Sequence, residues 1–113
     1  MEQGADSRLE CYRTPESRSV VLIRLSGELD RDTADLLREA VVRVAAEPGE
    51  ERRLSLDLSD LTYCDTAGLF TLLGICQALD TIGIKVWITK VGPVACVAIS
   101  RAGLQYRLPL VPP

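Results

Sequence analysis

The sequence predicts an α/β fold: a mixed sheet of about five strands with three main helices packed on it. Three observations carry this expectation. Leu54, Leu56 and Leu58 alternate with Ser55 and Asp57 at the two-residue period of a strand. Leu37, Ala40, Val41 and Val44 recur at the spacing of one helix face. Strand-like and helix-like segments then alternate along the chain, which is the order of an α/β sheet.

The elements follow in order. Residues 1–8 read as a polar, flexible start. A first strand is expected near Leu9 to Thr14, a turn at Pro15-Glu16-Ser17-Arg18, and a second strand from Ser19 to Ser26. Gly27 to Asp32 reads as the next turn. Asp32 or Thr33 caps the first helix, which Pro48-Gly49 ends. The third strand covers Leu54 to Leu58. After a short connection, Asp65 or Thr66 caps a helix running from Thr66 to about Thr81, with Leu69, Leu72, Leu73, Cys76 and Leu79 inward and Gly83 closing it. Lys85 to Thr89 is the fourth strand. Pro93 suits the first turn of a last helix that ends near Gly103, and Tyr106 to Leu108 is expected to add a short fifth strand. The Pro-rich tail at 109–113 excludes a further helix there.

At 113 residues the chain is long enough for one domain with one hydrophobic core. Thirteen basic residues against 16 acidic ones give a net charge of −3, so no basic footprint for nucleic acid is present; Arg52-Arg53 is a pair, not a patch. The longest uncharged run, Thr66 to Leu79, is well short of the roughly 20 apolar residues that cross a bilayer. No signal segment opens the chain. The expectation is a cytoplasmic protein with no direct membrane insertion.

Cys11, Cys64, Cys76 and Cys96 are scattered, without a Cys-x-x-Cys pair, and the chain has no His. That pattern excludes the usual zinc sets and thioredoxin-like redox motifs. Reduced thiols acting as small apolar side chains are the plain reading. A redox-sensitive Cys64 beside the Asp65 turn is the functional alternative.

Catalysis is not expected. Without His, a serine or cysteine nucleophile lacks its usual base, and no Gly-rich phosphate cradle occurs. No cofactor is implied. The functional signal is instead a surface. The helix after Asp65 presents Ala67, Phe70, Thr71, Gly74, Gln77 and Ala78 away from its core side, and no charged residue falls between Thr66 and Leu79. Solvated helix faces are normally charged, so this face is expected to meet a partner protein or a homodimer mate.

Two segments carry a family resemblance. Asp57-Leu58-Ser59-Asp60-Leu61-Thr62-Tyr63-Cys64-Asp65-Thr66-Ala67-Gly68-Leu69 resembles the signature of STAS domains, best known as bacterial anti-sigma-factor antagonists. Val21-Leu22-Ile23-Arg24-Leu25-Ser26-Gly27-Glu28-Leu29-Asp30 is similar to the family's second strand and its Gly-Glu-Leu-Asp turn. The resemblance covers about Leu9 to Pro109 and implies a single STAS-like domain lacking the C-terminal fourth helix of many members. It implies a partner, an anti-sigma factor of the histidine-kinase-like ATP-binding fold, whose sequestration releases a sigma factor for transcription. In such antagonists the residue after Asp-[Ser/Thr] is a serine or threonine that the anti-sigma factor phosphorylates. Here it is Ala67, which has no oxygen to modify, so the phospho-switch is either absent or displaced onto Thr66.

Thr66 carries two readings, a helix cap or a docking residue. Its Asp-Thr-small-Gly-Leu context also resembles the STAS accessory subunit of phospholipid-transport ABC systems, where the equivalent threonine contacts the ATPase. Asp30 is expected on the same edge as Asp65, the two carboxylates jointly facing a basic partner surface, with Asp32 left to cap the helix. Asp57 is expected to order the motif loop through backbone hydrogen bonds. The partner-binding set is therefore Asp30, Asp65, Thr66, Ala67, Gly68, Phe70, Thr71 and Gly74.

Overall fold

The computed structural model describes residues 8–47 and 53–111. Seven elements run in the order β1 (Leu9–Pro15), β2 (Val20–Leu29), α1 (Ala34–Ala46), β3 (Arg53–Cys64), α2 (Thr66–Thr81), β4 (Lys85–Lys90) and α3 (Gly92–Ala102). The sheet order is β1-β2-β3-β4. β1 pairs antiparallel with β2, while β2–β3 and β3–β4 are parallel, so the sheet is mixed as expected.

Topology follows from the handedness of crossovers. β2, β3 and β4 step across the sheet in one direction, and a right-handed β-helix-β connection at each step puts α1 and α2 on the same face. That face holds the core. Ile23, Leu25, Leu54, Leu56, Leu58 and Ile88 point from the strands against Leu37, Val41 and Val44 of α1, Leu69, Leu72 and Cys76 of α2, and Ile99 of α3. Tyr12, Arg24 and Trp87 alternate onto the opposite, exposed face.

Four local differences from the sequence reading have physical reasons. β2 does not turn at Gly27 but runs on to Leu29. Gly27 has φ +109°, and a Cβ there would lie 2.1 Å from the Arg8 carbonyl oxygen, so a glycine lets β1 stay paired past this point. The Glu28 N–H donates to that same oxygen at 2.7 Å. β3 does not stop at Leu58 but reaches Cys64, because two register shifts against β2 absorb its extra length. These shifts keep Leu61 buried although it stands three residues after Leu58.

The cap of α1 also differs. Asp30, not Asp32, makes it: the Thr33 N–H donates to Asp30 Oδ1 at 2.9 Å, and Thr33 Oγ1 accepts from the Asp30 N–H at 2.9 Å. The Thr33 side chain makes no cap hydrogen bond to the helix itself.

No fifth strand forms at Tyr106 to Leu108. The Arg107 and Leu108 N–H groups both donate to the Leu104 oxygen, at 3.0 and 3.1 Å, as successive turns. The chain then reaches the sheet two residues later through a single bridge between Leu110 and Ile88. Pro109 lacks an N–H but lends its carbonyl to Ile88, and Val111 returns a bond to the Ile88 oxygen. α2 and α3 otherwise fall where periodicity and the glycines at 83 and 103 put them. Among the described residues no helix follows α3. The expected helix stop at Pro48-Gly49, the start at 1–7 and Arg52 lie outside the described residues.

Candidate functional site

The ends of β2 and β3 build the site. Leu29 lies opposite Cys64 in the register, so Asp30 and Asp65 leave adjacent strands side by side. The Asp65 N–H donates to the Leu29 oxygen at 3.2 Å. α2 then starts hard against the β2 end: a Cβ on Gly68 would stand 2.7 Å from the Leu29 oxygen and 3.0 Å from Asp30 Cα. Only glycine fits that approach without displacing backbone. Gly68 is buried, so it shapes the site from beneath rather than presenting itself to a partner as the sequence reading had it.

Asp65 caps α2, with Oδ1 accepting the Gly68 N–H at 2.8 Å. Thr66 does not: it is the first helical residue, exposed, and no hydrogen bond holds its hydroxyl among the described residues. Asp57 is 7% exposed and accepts both the Ser59 N–H at 2.9 Å and the Ser59 hydroxyl at 2.6 Å, which orders the β3 bulge as expected.

The sequence reading passed over three neighbours of the carboxylates. Arg8, at the entrance to β1, reaches across β2 with Nη1 at 2.8 Å from Asp30 Oδ2 and 3.1 Å from Glu28 Oε1. The Tyr63 hydroxyl donates to Asp65 Oδ2 at 3.4 Å. Glu28 sits inside the quoted Gly-Glu-Leu-Asp turn, and Tyr63 two positions before Asp65 alternates onto the same side of the strand end; both were legible in the sequence. Arg8 was not, because it is brought over by the antiparallel pairing of Leu9 with Gly27.

Electrostatics tie these groups together. The Thr33 backbone N–H, aided by the Arg8 guanidinium, holds the Asp30 carboxyl below its ordinary value. The Tyr63 phenol is pushed up, mainly by the Asp65 charge and further by Asp30 and Glu28. One hydroxyl thus senses all three carboxylates, so they share a single acidic edge on which Arg8 is the partnered cation.

Beside this edge α2 turns its outer face to solvent. Thr66, Ala67 and Gly74 are exposed and Phe70 is 46% exposed. Thr71 is half-buried, its hydroxyl donating to the Ala67 oxygen at 3.0 Å. A groove between α1 and α2 continues this face, floored by Gly74, Ala78 and Thr71 and flanked by Val42 and Ile82. A smaller crevice separates Thr66 from Val97 and Arg101 of α3. Cys64 opens onto that crevice, but burial and the Asp65 charge push its thiol up to about 11, the direction opposite to that of a reactive thiolate. Among the described residues no group of three acidic or cysteine side chains is placed to hold a metal ion, and no helix is long and apolar enough to cross a membrane.

Comparison with known proteins bears on the family and the fold. The family model described as the STAS domain matches residues 12–112. Over 97 residues, 82% of this chain and 79% of the relative, the sequence is 31% identical to the anti-sigma F factor antagonist of Paenibacillus polymyxa. The crystal structure of an anti-sigma factor antagonist from Mycobacterium paratuberculosis superposes with a TM-score of 0.75 at 25% identity, covering 96% of this chain and 89% of that one. The anti-sigma factor antagonist SpoIIAA in its unphosphorylated form superposes at 0.68 with 18% identity, covering 91% and 89%, a likeness of fold.

Proposed function

This chain belongs to the STAS domain family, and from that premise we propose that it is an anti-sigma-factor antagonist, a cytoplasmic binding module without catalytic activity or cofactor. It binds a kinase-like anti-sigma factor and so releases a sigma factor. The observation that carries the reading is the joint edge: Asp30 and Asp65 at adjacent strand ends, running directly into an uncharged, partly apolar α2 face through Thr66, Ala67 and Phe70. Carboxylates steer and orient a basic partner, while the apolar face supplies the buried centre of an interface. The names of the relatives in Paenibacillus polymyxa and Mycobacterium paratuberculosis support the same class.

Ala67 gives the module its particular behaviour. It is exposed one residue into α2, where a phosphate would sit over free backbone N–H groups. With no hydroxyl there, the protein stays competent to bind regardless of kinase activity. A second reading rests on one observation, the exposed Thr66 hydroxyl, which makes no hydrogen bond among the described residues and suits direct docking onto an ABC ATPase of lipid transport. Affinity recovery of tagged protein from cytoplasm and from detergent-extracted membranes separates the two. A soluble ATP-binding partner that is released by Ala67→Glu supports the antagonist; an ATPase with its permease, released by Thr66→Ala, supports the transporter subunit. Recovery of neither, or of a partner indifferent to Ala67→Glu, Thr66→Ala and Phe70→Ala, overturns the assignment of this site.

A further inference from the structure

The sheet face turned away from α1 and α2 is open and carries an ordered pattern. Leu22, Ser55 and Trp87 lie in one register row across β2, β3 and β4. Trp87 is 45% exposed, and Leu22 is half-buried without joining the core. Tyr12 on β1 stands beside this row, stacked under the Arg24 guanidinium at 4.9 Å. A sheet face left to water is normally polar, whereas this one has an apolar and aromatic centre.

Charge is segregated to the two ends of that centre. At the start of the parallel strands Arg53 and Lys85 stand directly opposite each other in the register, both exposed. Among the described residues neither makes an ion pair, and like charges so placed repel. At the far end Glu10 and Asp60 both lie against Ser26 in the register, again exposed. Asp60 meets Arg24 at 3.3 Å, in an ion pair half open to solvent. Between the ends Asp57 is buried and held by Ser59.

A face that is basic at one end, acidic at the other and apolar between is complementary to itself. We propose that it docks on the same face of a second copy of this chain, about a two-fold axis lying across the strands. β3 then runs antiparallel over β3 of the second copy, Arg53 meets the second copy's Asp60 twice, and the apolar rows close on each other. A uniformly basic or acidic partner would satisfy only one end. Four strands about 4.8 Å apart and six residues of about 3.3 Å rise give a face of roughly 400 Å². A standard interface takes about 800 Å² per partner, so the association is weak and absent at low micromolar concentration. It uses no residue of the α2 face, so it stands or falls independently of the antagonist reading.

Sedimentation of the full chain should show a monomer–dimer equilibrium with a dissociation constant of about 100 μM to 1 mM. Front-face fluorescence of Trp87, the chain's sole tryptophan, should shift to the blue over the same range as the indole leaves water. Arg53→Glu and Asp60→Lys should each weaken the dimer at least about fivefold, since each sets like charges against each other in the symmetric pair. Mixed one to one, the two variants should associate about as well as the parent, because every introduced charge then meets its opposite. That rescue cannot come from a variant that has lost its fold. A mixture no tighter than either variant alone, a dimer in which the Trp87 emission does not move, or a parent that stays monomeric at millimolar concentration would each overturn the proposal.

Discussion

At the scale of single residues, Asp65 does two things that can be separated. Its Oδ1 caps α2 and its charge helps to form the acidic edge. Asp65→Ala should cost about 1 kcal/mol in urea unfolding through loss of the cap. Asp65→Asn keeps an oxygen for the Gly68 N–H, so it should unfold close to the parent while weakening partner binding; an Asn variant that binds normally would reduce Asp65 to a structural residue. Gly68→Ala should destabilise by about 1–3 kcal/mol, because its methyl would meet the Leu29 and Asp30 backbone rather than a side chain able to move. Asp30 gives a pH signature. Its folded carboxyl titrates below the ordinary 3.8, so its contribution to stability is complete above that value and is lost as the pH falls through the lower folded one. Asp30→Asn should therefore flatten the acid limb of the stability curve, and an unchanged limb would show that Thr33 and Arg8 do not hold this carboxylate in solution.

At the scale of elements, α2 was the most legible part of the chain and the strands the least. Its bounds, its uncharged outer face and five of its seven buried residues could be read from Thr66 to Thr81, Gly68 and Ile75 being the two that were not, because a helix records its environment in a three-to-four-residue period over sixteen positions. β3 hid its second half because bulges break the two-residue alternation that marks a strand: Leu58 and Leu61 are both buried at a spacing no regular strand allows. The cap of α1 was misassigned for a related reason. Asp30 and Asp32 are equivalent as residue types, and only the pairing of β1 with β2, which brings Arg8 to Asp30, together with the Thr33 exchange, distinguishes them. The α2 face carries a prediction of its own. Phe70 is half in solvent, so Phe70→Ala should shift the unfolding midpoint little, while a hydrophobic anchor at an interface centre is worth about 2 kcal/mol or more. Calorimetry with the recovered partner should show at least a roughly thirtyfold loss of affinity; a loss confined to stability would place Phe70 in the fold rather than in the interface.

At the scale of the whole molecule, the sheet has two edges and treats them differently. On β1, Tyr12, Arg13 and Pro15 interrupt any flat apolar template for another chain. β4 would be the more hazardous edge, since it carries Val86, Trp87 and Ile88 in a row and lies next to the longest strand. The C-terminal segment answers this by running alongside it, the Ile88 N–H donating to Pro109 at 2.8 Å and the Val111 N–H to Ile88 at 3.0 Å. Pro109 thus has a positive use: it accepts from the strand edge through its carbonyl while offering no N–H of its own. Deleting residues 109–113 would leave the Ile88 N–H and carbonyl without these partners and withdraw Leu110 from the core margin. The expected cost is about 1–3 kcal/mol of stability, with the opened edge pairing between copies. Sedimentation at low micromolar concentration should then show a dimer that grows with concentration in the truncated chain and recedes in its Trp87→Lys variant, a position that is exposed. A truncated chain that stays monomeric and as stable as the parent would mean that β4 needs no cover, and that the tail lies on the sheet without guarding it.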